Sequence, residues 1–310
     1  MTGPKERIDP GGAEERRFLV IGAGTMGRGI AQVAAAAGFE ARLVDVRPGA
    51  AARAKEAIAA ATARRVARGK MDEATRAALL ARAVAFDSLD AAAEEVDVVV
   101  EAVVEDLTVK TEVLRRAAAR ARGHALLASN TSSLSITELG MRVGEGERLI
   151  GTHFFNPPPA MALLELVRGL HTREETMARG RGLATRLGKT AIEVRDTPGF
   201  ATSRLGVVLG AEAIRMVETG VAPVADIDRA MELGYRHPMG PLKLGDLVGL
   251  DVRLAILEHL HREVGEAFRP PALLRQMVRA GWTGKKAGRG FYRWPRDGGP
   301  PVPTDPMAGR

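Results

Sequence analysis

The most constraining stretch of this chain is Gly22-Ala23-Gly24-Thr25-Met26-Gly27. It follows the apolar run Phe18-Leu19-Val20-Ile21 and opens an alanine-rich segment, Met26 to Ala37, that stops at Gly38. A short apolar run ending in glycine reads as a buried strand, and the periodic segment behind it as a helix. Ala41-Arg42-Leu43-Val44-Asp45 supplies the next strand, which makes a strand, turn, helix, strand unit with parallel pairing. In that setting G-x-G-x-x-G is a dinucleotide fingerprint rather than a chance gathering of glycines. Gly22 permits the tight turn, Gly24 lets the backbone approach a pyrophosphate, and Gly27 lets the helix pack on the strand. The helix N-terminus offers N–H donors to the anion. Gly22, Gly24, Thr25, Met26 and Gly27 are therefore expected to form a cofactor loop. Asp45, 23 positions after Gly22, is placed to accept hydrogen bonds from the adenosine ribose. Its charge repels a 2′-phosphate, so NAD is favoured over NADP; Arg47, two positions on, reads as a solvated surface arginine, with a softening of that preference as the alternative.

The rest of the chain extends this pattern. Pro48 to Arg82 reads as two helices broken near Gly69, and Thr108 to Arg122 as another. Apolar runs at 96–101, 125–129, 148–152, 163–167 and 191–194 read as strands. Strands alternating with helices predict an α/β fold, a Rossmann-like doubly wound and mostly parallel sheet with a helical arm, over 17–195. After Asp196-Thr197-Pro198-Gly199-Phe200 only helices are read, at 204–219, 224–233, 251–264 and 271–280. This predicts an all-α C-terminal domain over 196–294. Residues 1–16 are expected to be a flexible leader and 295–310, rich in Pro and Gly, a flexible tail.

Composition narrows the chemistry. The 310 residues contain no cysteine, which removes disulfides, thiolate nucleophiles and thiolate metal ligands, and no metal site is expected. No window approaches the roughly 20 apolar residues of a membrane span. The polar N-terminal stretch lacks the apolar core of a secretory signal, so the expected location is the cytoplasm. A net charge of +7 invites a nucleic-acid reading. Interspersed acids and only 4% aromatic residues argue against it, because few rings are left to stack on bases.

Among six histidines, His153 stands apart. It closes the strand Leu149-Ile150-Gly151-Thr152 at its C-terminal end, the edge of an open α/β sheet that faces ligands. His259 and His261 lie on a charged helix, His124 and His171 in polar surroundings, and His237 in a Pro/Gly turn. Glu165 sits between Leu164 and Leu166, where a carboxylate is costly unless paired, and His153 is its expected partner. Such a pair fixes the imidazole tautomer and suits proton transfer to or from an alcohol. On the residues alone, a structural pair and a catalytic dyad are equally compatible with this pattern.

Ser129-Asn130-Thr131-Ser132-Ser133, His153-Phe154-Phe155-Asn156-Pro157 and Glu165 at this spacing resemble the 3-hydroxyacyl-CoA dehydrogenase family. Asp196-Thr197-Pro198-Gly199-Phe200, His237-Pro238-Met239-Gly240-Pro241 and Gly284-Lys285-Lys286-Ala287-Gly288-Arg289-Gly290-Phe291-Tyr292 extend the likeness from about Arg17 to Trp294. The resemblance implies reversible NAD-dependent oxidation of a short-chain (S)-3-hydroxyacyl-CoA, with the single-function 3-hydroxybutyryl-CoA enzymes as nearest likeness. It implies His153 as general acid/base, Glu165 as its orienting partner, and Ser132 in contact with both substrate oxygen and nicotinamide. Glu105, Lys110, Asn156 and Lys286 match cofactor-contacting positions. The helical arm would take the CoA moiety, and Arg53, Arg64 and Arg68 fall within about 60° on one helical face at 100° per residue. A homodimer through the C-terminal domain is also implied.

Two positions depart from the family pattern. Ser203 stands where the family carries Asn, offering one short hydroxyl in place of an amide. Ala61 stands where the helical arm usually has serine. Three other readings remain at this level: a dehydrogenase of a free hydroxy acid or sugar acid, a non-catalytic NAD-binding protein, and the disfavoured nucleic-acid binder.

Overall fold

The computed structural model describes residues 15–307. The described chain divides between Asp196 and Thr197 into two compact units. The expected leader lies almost wholly outside the described residues.

The first unit begins with β1 (Arg17–Ile21), α1 (Thr25–Ala36) and β2 (Glu40–Val44), the unit read from the glycine motif. Two helices follow, α2 (Ala50–Ala67) and α3 (Glu73–Arg82), and Asp72 caps the second by accepting from Thr75 N–H. Next come β3 (Ala83–Phe86), a short α4 (Leu89–Ala93), β4 (Val98–Glu101), α5 (Leu107–Ala118) and β5 (Leu126–Ser129). The unit closes with α6 (Ile136–Val143), β6 (Leu149–Phe154), β7 (Leu163–Arg168), α7 (Glu174–Arg186) and β8 (Thr190–Arg195). β3, α4, α6 and α7 have no counterpart in the sequence reading. β3 and α4 are too short to show a period, and α6 follows directly on a Ser/Thr-rich stretch that reads as turn.

All eight strands form one sheet in the order β3-β2-β1-β4-β5-β6-β7-β8. Every pairing is parallel except β6 with β7. The central strands are buried along their whole length, which is why Val98-Val99-Val100 and Leu126-Leu127-Ala128 read as unbroken apolar runs. Strand order reverses beside β1, between β2 and β4, and a doubly wound sheet opens its crevice there, at the carboxyl ends of the strands.

The second unit is helical: α8 (Thr202–Glu218), α9 (Val224–Gly234), α10 (Pro241–Val248), α11 (Leu250–Glu263) and α12 (Ala272–Arg279). α10 starts inside a motif that reads as a Pro/Gly turn. The turn exists, but Pro241 also occupies the first helical position, where proline's missing N–H and fixed φ cost nothing. Val207, Ile214, Leu257, Leu260, Leu274 and Phe291 form its core.

Within the stretch expected to be a flexible tail, the described residues hold a strand that the sequence reading did not include. β9 (Tyr292–Arg293) pairs antiparallel with β10 (Val302–Pro303). Thr304 donates from its amide to the Phe291 carbonyl at 2.9 Å and from its hydroxyl to the Gly290 and Phe291 carbonyls. Proline content hid a strand because Pro303 sits at an edge, where an N–H is not needed. No helix among the described residues is long and apolar enough to cross a membrane.

Candidate active site

Five loops gather at the carboxyl edge of the sheet, after β1, β2, β4, β5 and β6. At ordinary strand spacing they span about 19 Å from β2 to β6. Gly22 has φ +107°, and a side chain there would press a Cβ to 2.5 Å from the Ala102 carbonyl oxygen. A Cβ on Gly27 would fall 1.7 Å from the Gly22 oxygen. Gly24 faces open space, with nothing within 4 Å of the position a Cβ would take. It is also the N-cap of α1, which has no side-chain cap and no acid in its first turn. The helix therefore keeps its N–H donors for an outside anion, and the loop fits a pyrophosphate. Thr25 is exposed and Met26 half-buried at the same turn.

Asp45 accepts from Ala23 N–H at 2.7 Å and is gripped by Arg47 through Nε at 3.0 Å and Nη2 at 3.2 Å. Burial pushes its carboxyl up, but the hydrogen bonds from Arg47 and Ala23 outweigh that and hold it at about 2. It stays ionised at any working pH, as a ribose acceptor requires. Arg47, considered from sequence as a softening influence, is occupied with this carboxylate.

Glu105 and the Ser129–Ser133 segment interlock. The Glu105 carboxylate accepts from the Thr131 hydroxyl at 2.5 Å, the Ser132 amide at 3.1 Å and the Ser133 hydroxyl at 3.0 Å. Burial raises its carboxyl, and the charge of Lys110 with the hydroxyl bonds more than reverses the effect, so it lies below the ordinary range. Ser132 itself is half-buried, and its hydroxyl donates no hydrogen bond among the described residues. Lys110, matched from sequence to a cofactor contact, is 1% exposed. Its ammonium is enclosed between Glu101 at 2.7 Å and Glu105 at 3.1 Å, so it reaches the cleft only through Glu105.

His153 and Glu165 face each other across the antiparallel β6–β7 pair. Nδ1 of His153 lies 2.6 Å from Oε2 of Glu165. The carboxylate is fully buried while the imidazole keeps 8% exposure, so the ring is the member that meets the outside. Phe155 packs on the ring at a centroid distance of 4.6 Å. Asn130 steadies the end of β6 by accepting from the Phe154 amide at 2.9 Å. Asn156 is exposed in the loop that follows.

Arg53 and Arg64 are exposed on α2, and Arg68 is its C-cap. Ser203, half-buried near the start of α8, and Lys286, paired with Asp251 at 2.6 Å, belong to the second unit and are described within it.

Sequence reasoning missed two side chains here. Glu101 ends β4 with no exposed surface and accepts from Ser129 Oγ at 2.6 Å, Lys110 Nζ at 2.7 Å and Val103 N–H at 2.6 Å. Burial pushes its carboxyl up against those bonds. Asp196 accepts from the Ser135 hydroxyl and from the Ile136 and Thr137 amides, which caps α6 directly behind Ser132. The available signal was a carboxylate closing an all-valine strand, with a lysine nine residues on.

Comparison with known proteins agrees with this architecture. The family model described as 3-hydroxyacyl-CoA dehydrogenase, NAD binding domain, matches residues 17–197. The model for the C-terminal domain of the same family matches 199–294. The chain belongs to the 3-hydroxyacyl-CoA dehydrogenase family and is an NAD-dependent oxidoreductase. A probable 3-hydroxybutyryl-CoA dehydrogenase from Bacillus subtilis is 46% identical over 280 residues, 90% of this chain and 97% of that one. A 3-hydroxybutyryl-CoA dehydrogenase from Bradyrhizobium diazoefficiens is 42% identical, covering 93% of this chain and 98% of the relative. Among solved structures, the (S)-3-hydroxybutyryl-CoA dehydrogenase PaaH1 from Ralstonia eutropha superposes with a TM-score of 0.88. It is 39% identical, and the match covers 91% of this chain and all of that one.

Proposed function

We propose that the chain oxidises short (S)-3-hydroxyacyl-CoA thioesters to 3-ketoacyl-CoA, and reverses the reaction, with His153 as the proton carrier. The observation that supports this most is the 2.6 Å bond between His153 Nδ1 and the buried Glu165 carboxylate at the ligand edge of the sheet. Glu165 takes the Nδ1 side of the ring, so proton exchange with the substrate falls to Nε2. The carboxylate stabilises the imidazolium that forms when the 3-hydroxyl gives up its proton, and in reduction the same imidazolium protonates the alkoxide at C3. Ser132, held by Glu105, orients the 3-oxygen. Bound NAD supplies the hydride acceptor for C3, with its pyrophosphate at the Gly24 turn and its adenosine ribose at Asp45. Asn156 and Lys286 are further proposed cofactor contacts, and Ser203 a substrate contact.

Preference for the four-carbon substrate rests on the names of the relatives. Arg53, Arg64 and Arg68 offer positive charge to the phosphates of CoA. Self-association is supported by α8, α10 and α11, which pack on one another in the second unit. They leave Leu205, Leu209, Leu247, Val248 and Val252 exposed, an apolar surface suited to a second copy of the chain.

The deciding experiment follows NADH consumption with a panel of 3-ketoacyl-CoA thioesters and with free 3-keto acids. Turnover falling with acyl length, with inhibition by free CoA, is the expected result. Absence of turnover with any thioester while NADH binds overturns the proposal.

A further inference from the structure

Glu101 is as fully buried at the ligand edge as Glu165, and nothing in the chemistry above uses it. Its contacts form a ring. Glu101 accepts from Lys110 on one oxygen and from Ser129 on the other. Lys110 touches Glu105, Glu105 accepts from the Thr131 hydroxyl, and the Thr131 amide donates to Ser129 Oγ at 3.3 Å, which closes the circle. Strand pairing places Glu101 directly opposite Ser129, and the Asn130 amide donates to the Glu101 carbonyl. Both ends of the Ser129–Ser133 segment are thus tied to one carboxylate, at one end directly and at the other through Lys110 and Glu105.

A buried ion pair of this kind is an expensive way to join β4 to β5, since apolar side chains fill such a place at no desolvation cost. What apolar packing cannot do is hold a second carboxylate, Glu105, at a fixed angle to three donors of the Ser132 turn. We infer that Glu101 is a positioning residue for Ser132. It holds the Lys110 ammonium, Lys110 holds Glu105, and Glu105 sets the Thr131, Ser132 and Ser133 donors. This deepens the proposed function and rests on it only for the part played by Ser132.

The test uses Glu101→Gln, which keeps the shape and removes the charge that holds Lys110. Hydrogen exchange is followed for the 129–135 amides and, as an internal control, for those of β1. Expected is acceleration of about tenfold or more in 129–135 with β1 unchanged. kcat for NADH-dependent reduction of acetoacetyl-CoA falls by about 10- to 100-fold, with little change in KM. In a Ser132→Ala background the same substitution costs less than about threefold, because the positioned group is already gone. Glu101→Asp, which keeps the charge, recovers part of the rate.

Equal loosening of β1 and 129–135, or the same fold-loss with and without Ser132, makes Glu101 a purely structural acid and overturns the inference. If Glu101→Gln does not fold, Ser129→Ala carries the same exchange and coupling measurements with the ion pair intact. A wild-type chain inactive on every thioester would sink the proposed function, while the exchange data would still judge the ring.

Discussion

Buried carboxylates serve opposite ends in the two units. At the sheet edge, Glu165 and Glu101 are bonded to ionisable side chains, the His153 imidazole and the Lys110 ammonium. In the helical unit, Asp246 accepts from the Phe291 and Tyr292 amides and from Trp294 Nε1 at 2.9 Å. Asp228 accepts from the Leu242 and Lys243 amides and from the Tyr292 hydroxyl at 2.7 Å. Those donors neither titrate nor move a proton near neutral pH, and burial with the nearby aspartate carboxyl pushes the Tyr292 phenol further up. Burial of an acid is therefore not a mark of catalysis. The identity of the partner separates the two sets: an imidazole and an ammonium at the sheet edge, amides, an indole and a phenol in the helical unit.

Four outcomes break or sharpen this contrast. His153→Gln is expected to cut kcat by about 10³-fold while NADH affinity and melting temperature stay near wild type. Stopped-flow and fluorescence titration check it, and comparable turnover removes the assigned role. Gly290→Ala acts on the other side of the contrast, because its Cβ would lie 2.0 Å from Asp246 Oδ1. Forcing Asp246 away from three donors should cost about 3 kcal/mol in urea unfolding, with activity per folded molecule retained if the closing turn is scaffold only.

Asp45→Ser removes the charge that repels a 2′-phosphate and frees Arg47. The ratio of kcat/KM for NAD over NADP should fall about tenfold. The smallest effect is a pH slope. Burial raises Asp246 above the ordinary 3.8, so the folded chain binds that proton more tightly than the unfolded chain. Its contribution to stability is full below that ordinary value and is lost as pH rises through the raised one. Relative to Asp246→Asn, the wild type should lose stability as pH rises above about 4. Asp45 and Glu105 are shifted down, so their contributions run the other way and vanish as pH falls. Urea titrations at three pH values decide the sign.

The legible parts of the molecule were those written in local sequence. The glycine loop, Asp45 and the strand–helix alternation are short-range patterns, and the His153–Glu165 pairing followed from two apolar strands whose odd polar members sought each other. Glu101, Asp196, Asp228 and Asp246 were illegible because each looks like an ordinary strand-end, loop or helix-surface acid. Their partners stand 28 residues away at Ser129, 61 at Ser135, 64 at Tyr292 and 48 at Trp294. Lys110, matched to a cofactor contact through the family likeness, hides its burial for the same reason: only the assembled sheet shows that two acids enclose it. Pro241 and Pro303 show the converse, since residues that usually end structure here begin a helix and lie in an edge strand.

The single antiparallel step in the sheet has a consequence for how the chain acquires its parts. His153 and Glu165 lie 12 residues apart on a hairpin closed by the loop between Phe154 and Leu163. Closing so short a loop costs little chain entropy, so this pairing is available early in folding, before the distant parallel strands have docked. The cofactor loop and the Ser132 turn need β1, β4 and β5 aligned, contacts of far greater sequence separation. The pair proposed to handle the proton thus meets through a short-range contact, whereas the nucleotide loop depends on strands distant in sequence.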